Sequence, residues 1–137
     1  MVRVSIGPLM ETSIAPLLTV SDAEAAADFY RLAFRATEVA RHDAGEQRIV
    51  VEMEIDGAPF VIVDENPAAF NLSPQSLNGT SVRISLLVDD PDAVFERALN
   101  SGGKELFPMA DQPYGLRQGR VEDPFGHHWM VSKPLSG

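Results

Sequence analysis

Cysteine is absent from the 137 residues, which removes disulfides, thiolate metal ligands and cysteine nucleophiles together and suits a reducing compartment. Lysine is nearly absent: Lys104 and Lys133 stand against nine arginines. Basic residues as a whole are outnumbered by acidic ones, 11 to 20, for a net charge of −9. A nucleic-acid partner needs a clustered basic face to neutralise phosphates, so none is expected. The acidic balance suits a cationic ligand, and it also keeps a small protein soluble by self-repulsion. No apolar run approaches the roughly 18 residues of a membrane span, and no basic segment leads into an apolar one near Met1. Neither a membrane partner nor export is expected, and the cytoplasm is the expected location. What is present is 45% apolar residues, enough at this length for one domain with a full core.

The chain reads as two halves on one plan. Ala15 to Val20 is an apolar strand candidate, and Ser21 to Phe34 follows as a helix. Ser21 and Glu24 have capping-box spacing, and Ala26, Phe29, Tyr30 and Ala33 recur at helical spacing. The run QRIVVEMEI, the turn DGAP and the run FVIVDE then make a hairpin pattern, because Asp-Gly between two β-rich runs is a strong turn signal. The second half repeats the order with the strand VRISLLV and a helix in DDPDAVFERALNSGG, Asp90 as N-cap and Pro91 at the first helical position. After them come GLRQGRVE, the turn DPFG and HHWMVS. Placing Val20 on Val88 gives an offset of 88 − 20 = 68 residues, which also brings Gly57 to within one place of Gly126 and Ile62 onto Met130. Asn66 to Thr80, rich in Pro, Asn, Ser and Gly, reads as the linker. The expected organisation is a single domain with a first module over about 12–66, the linker over 66–80, and a second module over about 81–134.

Alternation along each strand sorts side chains into a helix-covered face and an open face. In VRISLLV, Ile84, Leu86 and Val88 fall on the first and Arg83, Ser85 and Leu87 on the second. The same argument places Glu52, Glu54, Arg120, Glu122, His128 and Met130 on open faces, with Trp129 and Val131 in the core. The 68-residue offset extends it to Leu17 and Thr19, and to Phe60, Ile62 and Asp64 as open positions opposite Val61 and Val63. Phe60, Ile62, Leu87 and Met130 together are costly to expose, so the open faces read as the lining of a small-molecule cleft. His42 falls in RHDAGEQ, read as a loop.

Three stretches, LLTVSDAEAAADFYRLAF, SLLVDDPDAVFERALNSGG and PYGLRQGRVEDPFGHHWMV, resemble the glyoxalase, bleomycin-resistance and extradiol dioxygenase superfamily, over about residues 12 to 133. The resemblance implies an α+β fold of two βαβββ modules in one chain, each forming a curved open sheet, assembled as a dimer with clefts between modules. In metal-dependent members, ligands stand early in the first strand and in the last strand of each module. The matching positions here are Ala15, Ile62, Arg83 and Met130, and none is a plausible donor. No metal and no cofactor is therefore expected, and His127 and His128 lie beside the ligand slot.

Without the Lewis acid, what the resemblance leaves is the cleft. Metal-free members of the bleomycin-resistance branch act by sequestration, and Tyr114 in QPYGLR matches the aromatic that stacks on the drug there. The expected function is sequestration of an aromatic antibiotic, peptide or glycopeptide in type, or a similar natural product, as a homodimer and without catalytic residues. The expected ligand-binding residues are Tyr114, Phe60, Ile62, Asp64, Arg83, Leu87, Glu52, Arg120, His128 and Met130. Two alternatives remain open. One is a metal-independent lyase or isomerase, with Glu52 or Glu122 as general base and Arg83 steadying an oxyanion; the other is a metabolite-binding paralogue.

Overall fold

The structure, a computed structural model, describes residues 10–136. Strand β1 (Leu17–Val20) leads into helix α1 (Ala23–Phe34), followed by β2 (Thr37–Gly45), β3 (Arg48–Ile55) and β4 (Ala58–Asp64). The second module repeats this with β5 (Arg83–Leu87), α3 (Pro91–Asn100), β6 (Lys104–Asp111), β7 (Leu116–Glu122) and β8 (His128–Pro134). Between them the segment 66–80 holds a 3-10 turn, Pro67–Ala69, and the one-turn helix α2, Pro74–Leu77. The sheets run in the order β1-β4-β3-β2 and β5-β8-β7-β6. In each, the first pair is parallel and the rest antiparallel. Among the described residues no helix is long and apolar enough to cross a membrane.

Local chemistry explains the helices. Asp22, not Ser21, caps α1, its carboxylate accepting from Ala25 N at 3.0 Å. The expected capping box is thus displaced by one residue, because Asp64 Oδ1 also accepts from Ala23 N at 2.7 Å and fixes where the first turn begins. Helix α3 starts as its sequence predicts, with Asp90 accepting from Ala93 N and Pro91 in the first turn. Helix α1 buries Ala26, Ala27, Phe29, Tyr30, Ala33 and Phe34 against its own sheet and against α3.

An aromatic cluster joins the modules. The Tyr30 ring lies 5.4 Å from Phe60 and 5.4 Å from Trp129, and Phe34 lies 4.6 Å from Trp129, in tilted and edge-on contacts. At its centre is the buried carboxylate of Asp123. Its Oδ2 accepts from Tyr30 OH at 2.5 Å and from Trp129 Nε1 at 2.9 Å; its Oδ1 accepts from the backbone N–H groups of Phe125 and His127. Burial, reinforced by the carboxylate beside it, pushes the Tyr30 phenol well above its ordinary pKa, so it stays a donor. His127 Nε2 meets Thr19 O at 2.8 Å, a second tie between modules.

Two expectations are corrected here. The sheets are not curved as the resemblance implied: each is an open four-stranded layer with two edge strands, β1 and β2 or β5 and β6. Bulges are the usual means of bending a sheet. They occur here only where the edge strands β2 and β6 join their sheets, while β3 with β4 and β7 with β8 pair in unbroken register.

The second correction concerns β4. Glu52 pairs with Val61, and Arg120, 68 residues on, pairs with Met130, 69 residues on from Val61. The second hairpin carries one extra residue, and a slip of one reverses every side chain of a strand. Phe60 and Ile62 are therefore core residues, 3% and 0% exposed, and Val61 and Val63 take the open face. Asp64 is drawn in with them. Its two oxygens accept from Ala23 N and Ile49 N, tying α1 and β3 to the end of β4, so it is a structural brace and not a cleft carboxylate.

Candidate functional site

Each helix covers one face of its own sheet, and the other face is bare. In the second module that bare face carries a small cavity of about 230 Å³ lined by Phe107, Gln112, Tyr114, Gln118, Gly119, Arg120 and Met130. Register assembles it: Arg120 on β7 lies between Phe107 on β6 and Met130 on β8. The Arg120 guanidinium stands 5.2 Å over the Phe107 ring, and its Nε donates to Met130 Sδ at 3.2 Å. Tyr114 follows β6 in the turn to β7, and its hydroxyl donates to Gln118 Oε1 at 2.5 Å. Gln112 Nε2 in turn donates to Gln118 O. The phenol tip is thus anchored while the Tyr114 side chain, 62% exposed, stays open to solvent, as does Phe107 at 58%. Two fixed aromatic faces, a thioether and a guanidinium around one cavity suit a flat organic ligand.

The remaining expected residues divide between this face and others. Arg83, His128 and Glu122 sit side by side across β5, β8 and β7, with His128 Nε2 at 3.3 Å from Glu122 Oε1. With Gly126 and the α2 region, His128 and Glu122 line a neighbouring cavity of about 280 Å³. Leu87 lies exposed at the far end of β5. Glu52 is on the other module, where it meets His42 Nε2 at 2.7 Å. His42 is a residue of strand β2 rather than of a loop, opposite Val50 in the ladder. Glu52 and Tyr114 thus belong to two separate open faces of the chain.

Four members of the Tyr114 cavity escaped the sequence reading: Phe107, Gln112, Gln118 and Gly119. Gln118 shares strand parity with Arg120 and Glu122, so alternation within GLRQGRVE could have found it. Phe107 could not be found that way. Its strand, KELFPMAD, is interrupted by register shifts that break the period.

A larger cavity, about 600 Å³, lies elsewhere, between the β1 and β5 edges, and is lined mainly by apolar groups of Leu17, Leu18, Leu77, Val82 and Ile84 with His127. It has no convergent polar groups comparable to Arg120, Gln118 and Gln112, which makes it the poorer site for an oriented ligand.

Residues 11–131 match the family model described as the Glyoxalase/Bleomycin resistance protein/Dioxygenase superfamily. The chain belongs to this superfamily. The uncharacterised protein Mb0911c of Mycobacterium bovis is 39% identical over 130 residues, covering 92% of this chain and 86% of the relative. The crystal structure of TioX from Micromonospora sp. ML1 superposes with a TM-score of 0.70 at 24% identity, over 90% of this chain and all of that one. The fosfomycin resistance protein FosX from Listeria monocytogenes, solved with Mn(II) and a dihydroxypropylphosphonic acid, gives 0.68 at 17% identity, over 94% of this chain and 93% of FosX. At these identities the two structures speak for the shared fold. The superfamily's own description joins antibiotic-resistance proteins with enzymes.

The metal sites that the superfamily implies do not fit the side chains here. Of the four positions matched from sequence, Ile62 is turned into the core, and Val61 takes its place on the open face. Ala15, Val61, Arg83 and Met130 then offer two aliphatic chains, a cation and one weak thioether. Among the described residues no group of three or more His, Asp or Glu side chains could hold an ion.

Proposed function

We propose that this protein is a small-molecule binder that sequesters an aromatic antibiotic, peptide or glycopeptide in type, or a similar natural product, and releases it unaltered. The observation that carries this reading is the anchored Tyr114 ring beside Phe107, Arg120 and Met130 on an otherwise bare sheet face. A ring whose hydroxyl is already hydrogen-bonded loses less conformational freedom on stacking than a free one, which favours binding. The carboxylates that a metal-independent enzyme would use as a base are open to water: the side chains of Glu52 and Glu122 are 47% and 35% exposed. A general base tuned by burial would be more enclosed, so the binding reading is the better supported.

The binder works as a homodimer in this reading. Leu17, Leu77 and Val82 line the groove at the β1 and β5 edges and are each 60% exposed or more, an apolar patch of the kind that marks an interface. Light scattering at micromolar protein is expected to give twice the chain mass, and a strict monomer would contradict the assembly. Calorimetry against a panel of aromatic antibiotics, with mass spectrometry of the recovered compound, tests the binding. The expected result is saturable binding of an unchanged ligand, weakened by Tyr114→Ala roughly 2- to 13-fold through lost stacking. A chemically altered ligand would make the protein an enzyme, and silence across the panel would leave the metabolite-binding paralogue.

A further inference from the structure

Four of the eight described arginines are neutralised by carboxylates. Arg31 pairs with Asp28 and Glu38, Arg41 with Glu24 and Glu38, Arg48 with Glu46, and Arg117 with Asp92 and Asp111. Arg35, Arg83, Arg97 and Arg120 are not, and of these four only Arg120 lines the Tyr114 cavity. It is half-buried at the cavity wall, yet no carboxylate lies within ion-pair distance of it among the described residues. Its one hydrogen bond, from Nε, goes to a thioether sulfur, a weak acceptor. The acid that shares its face and strand, Glu122, is turned to His128. The cavity lining contains no acidic side chain; its other polar groups are Gln112, Gln118 and Tyr114. Arg83, also without a carboxylate partner, stands on the same face beside His128.

A guanidinium fixed in place by Phe107 and Met130, with its two terminal nitrogens unspent, presents the fork that matches a planar oxyanion. We infer that the ligand of this face is an anionic aromatic, a flat ring system bearing a carboxylate or comparable oxyanion, with the anion on Arg120 and the ring against Tyr114 and Phe107. The inference rests on the binding reading above and reverses the expectation that the net charge of −9 suits a cationic ligand. Three of the acids that the sequence placed on open faces are engaged elsewhere: Asp64 braces the first module, Glu52 meets His42, and Glu122 meets His128. Overall charge sets the long-range field, whereas the lining of the cavity sets the contact.

Three probes of one shape test it on the full chain: 2-naphthoate, 2-naphthamide and 2-naphthylmethylammonium, followed by calorimetry and by backbone amide shifts in nuclear magnetic resonance. Naphthoate should bind about tenfold more tightly than the amide, as a charge-assisted contact requires, with the ammonium weakest. Shifts should centre on Phe107, Tyr114, Arg120 and Met130. In Arg120→Gln, with spectral dispersion confirming the fold, the acid and the amide should bind alike while the amide keeps most of its affinity. Equal binding of acid and amide by the unmodified protein would overturn the inference and leave the binding reading standing. A preference for the ammonium, or an acid preference that survives in Arg120→Gln, would overturn it as well. If none of the three binds, the binding reading itself falls and the inference falls with it.

Discussion

Replacing Asp123 by Asn is the sharpest test of how the two modules are held together. The carboxylate accepts four hydrogen bonds, two on each oxygen. An amide can keep its oxygen toward the backbone N–H groups of Phe125 and His127, but its NH₂ then faces the indole N–H of Trp129, donor against donor. Tyr30 can rotate its hydroxyl to accept; Trp129 has no such freedom. Leaving a buried indole donor unsatisfied costs about 1–3 kcal/mol. Weakening the backbone contacts from a charged to a neutral acceptor adds about 1 kcal/mol, for a total of roughly 2–4 kcal/mol. Urea unfolding followed by the fluorescence of Trp129, the single tryptophan, should show a lower midpoint with an unchanged slope. Asp123→Ala, which removes all four bonds, should be worse still. A stability for Asp123→Asn within about 0.5 kcal/mol of the unmodified protein would mean that the network contributes no more than an ordinary surface contact and does not hold the modules together.

Other outcomes follow from the same structure. The Tyr30 pKa is raised in the folded state by burial first and by Asp123 second. Its contribution is therefore complete below the unfolded phenol value of about 10 and is lost as pH rises above it. Alkaline titration should show the Tyr30 phenolate forming only together with unfolding, and Tyr30→Phe should remove that part of the alkaline loss; a phenolate at Tyr30 in a folded chain would contradict this. Ser132 Oγ is buried with no hydrogen-bond partner, so Ser132→Ala should be neutral or stabilising by up to about 1 kcal/mol. A loss of more than about 1 kcal/mol in denaturant titration would show that the hydroxyl has a partner.

Where the sequence was legible, a local signal stood alone. Asp90 and Pro91 start α3 because capping and a fixed proline φ act within one turn. In β5 and β8 alternation sorted Leu86, Trp129 and Val131 into the core correctly. The offset between halves failed at β4, where one extra residue in the second hairpin flips Phe60, Ile62 and Asp64 inward. Nothing within FVIVDE could reveal this, since both of its parities are apolar. Strands β2 and β6 were hidden for another reason. They are sheet edges with mostly exposed side chains and register shifts, so neither burial nor period marks them. The Tyr114 cavity was legible only in part, because Tyr114, Arg120 and Met130 carry local signals, whereas Phe107 reaches them through a pairing that no short motif encodes.

Whether a ligand sits on the β6-β7-β8 face is decided by its footprint on the chain. Backbone amide shifts would be recorded for the full chain as an aromatic ligand from the antibiotic panel is titrated to saturation. Perturbations should concentrate at Phe107, Tyr114, Gln118, Arg120 and Met130, at one ligand per chain and with the ligand unchanged afterwards. Perturbations confined to Leu17, Leu77 and Val82 along the groove between β1 and β5 would place the binding site elsewhere and contradict it.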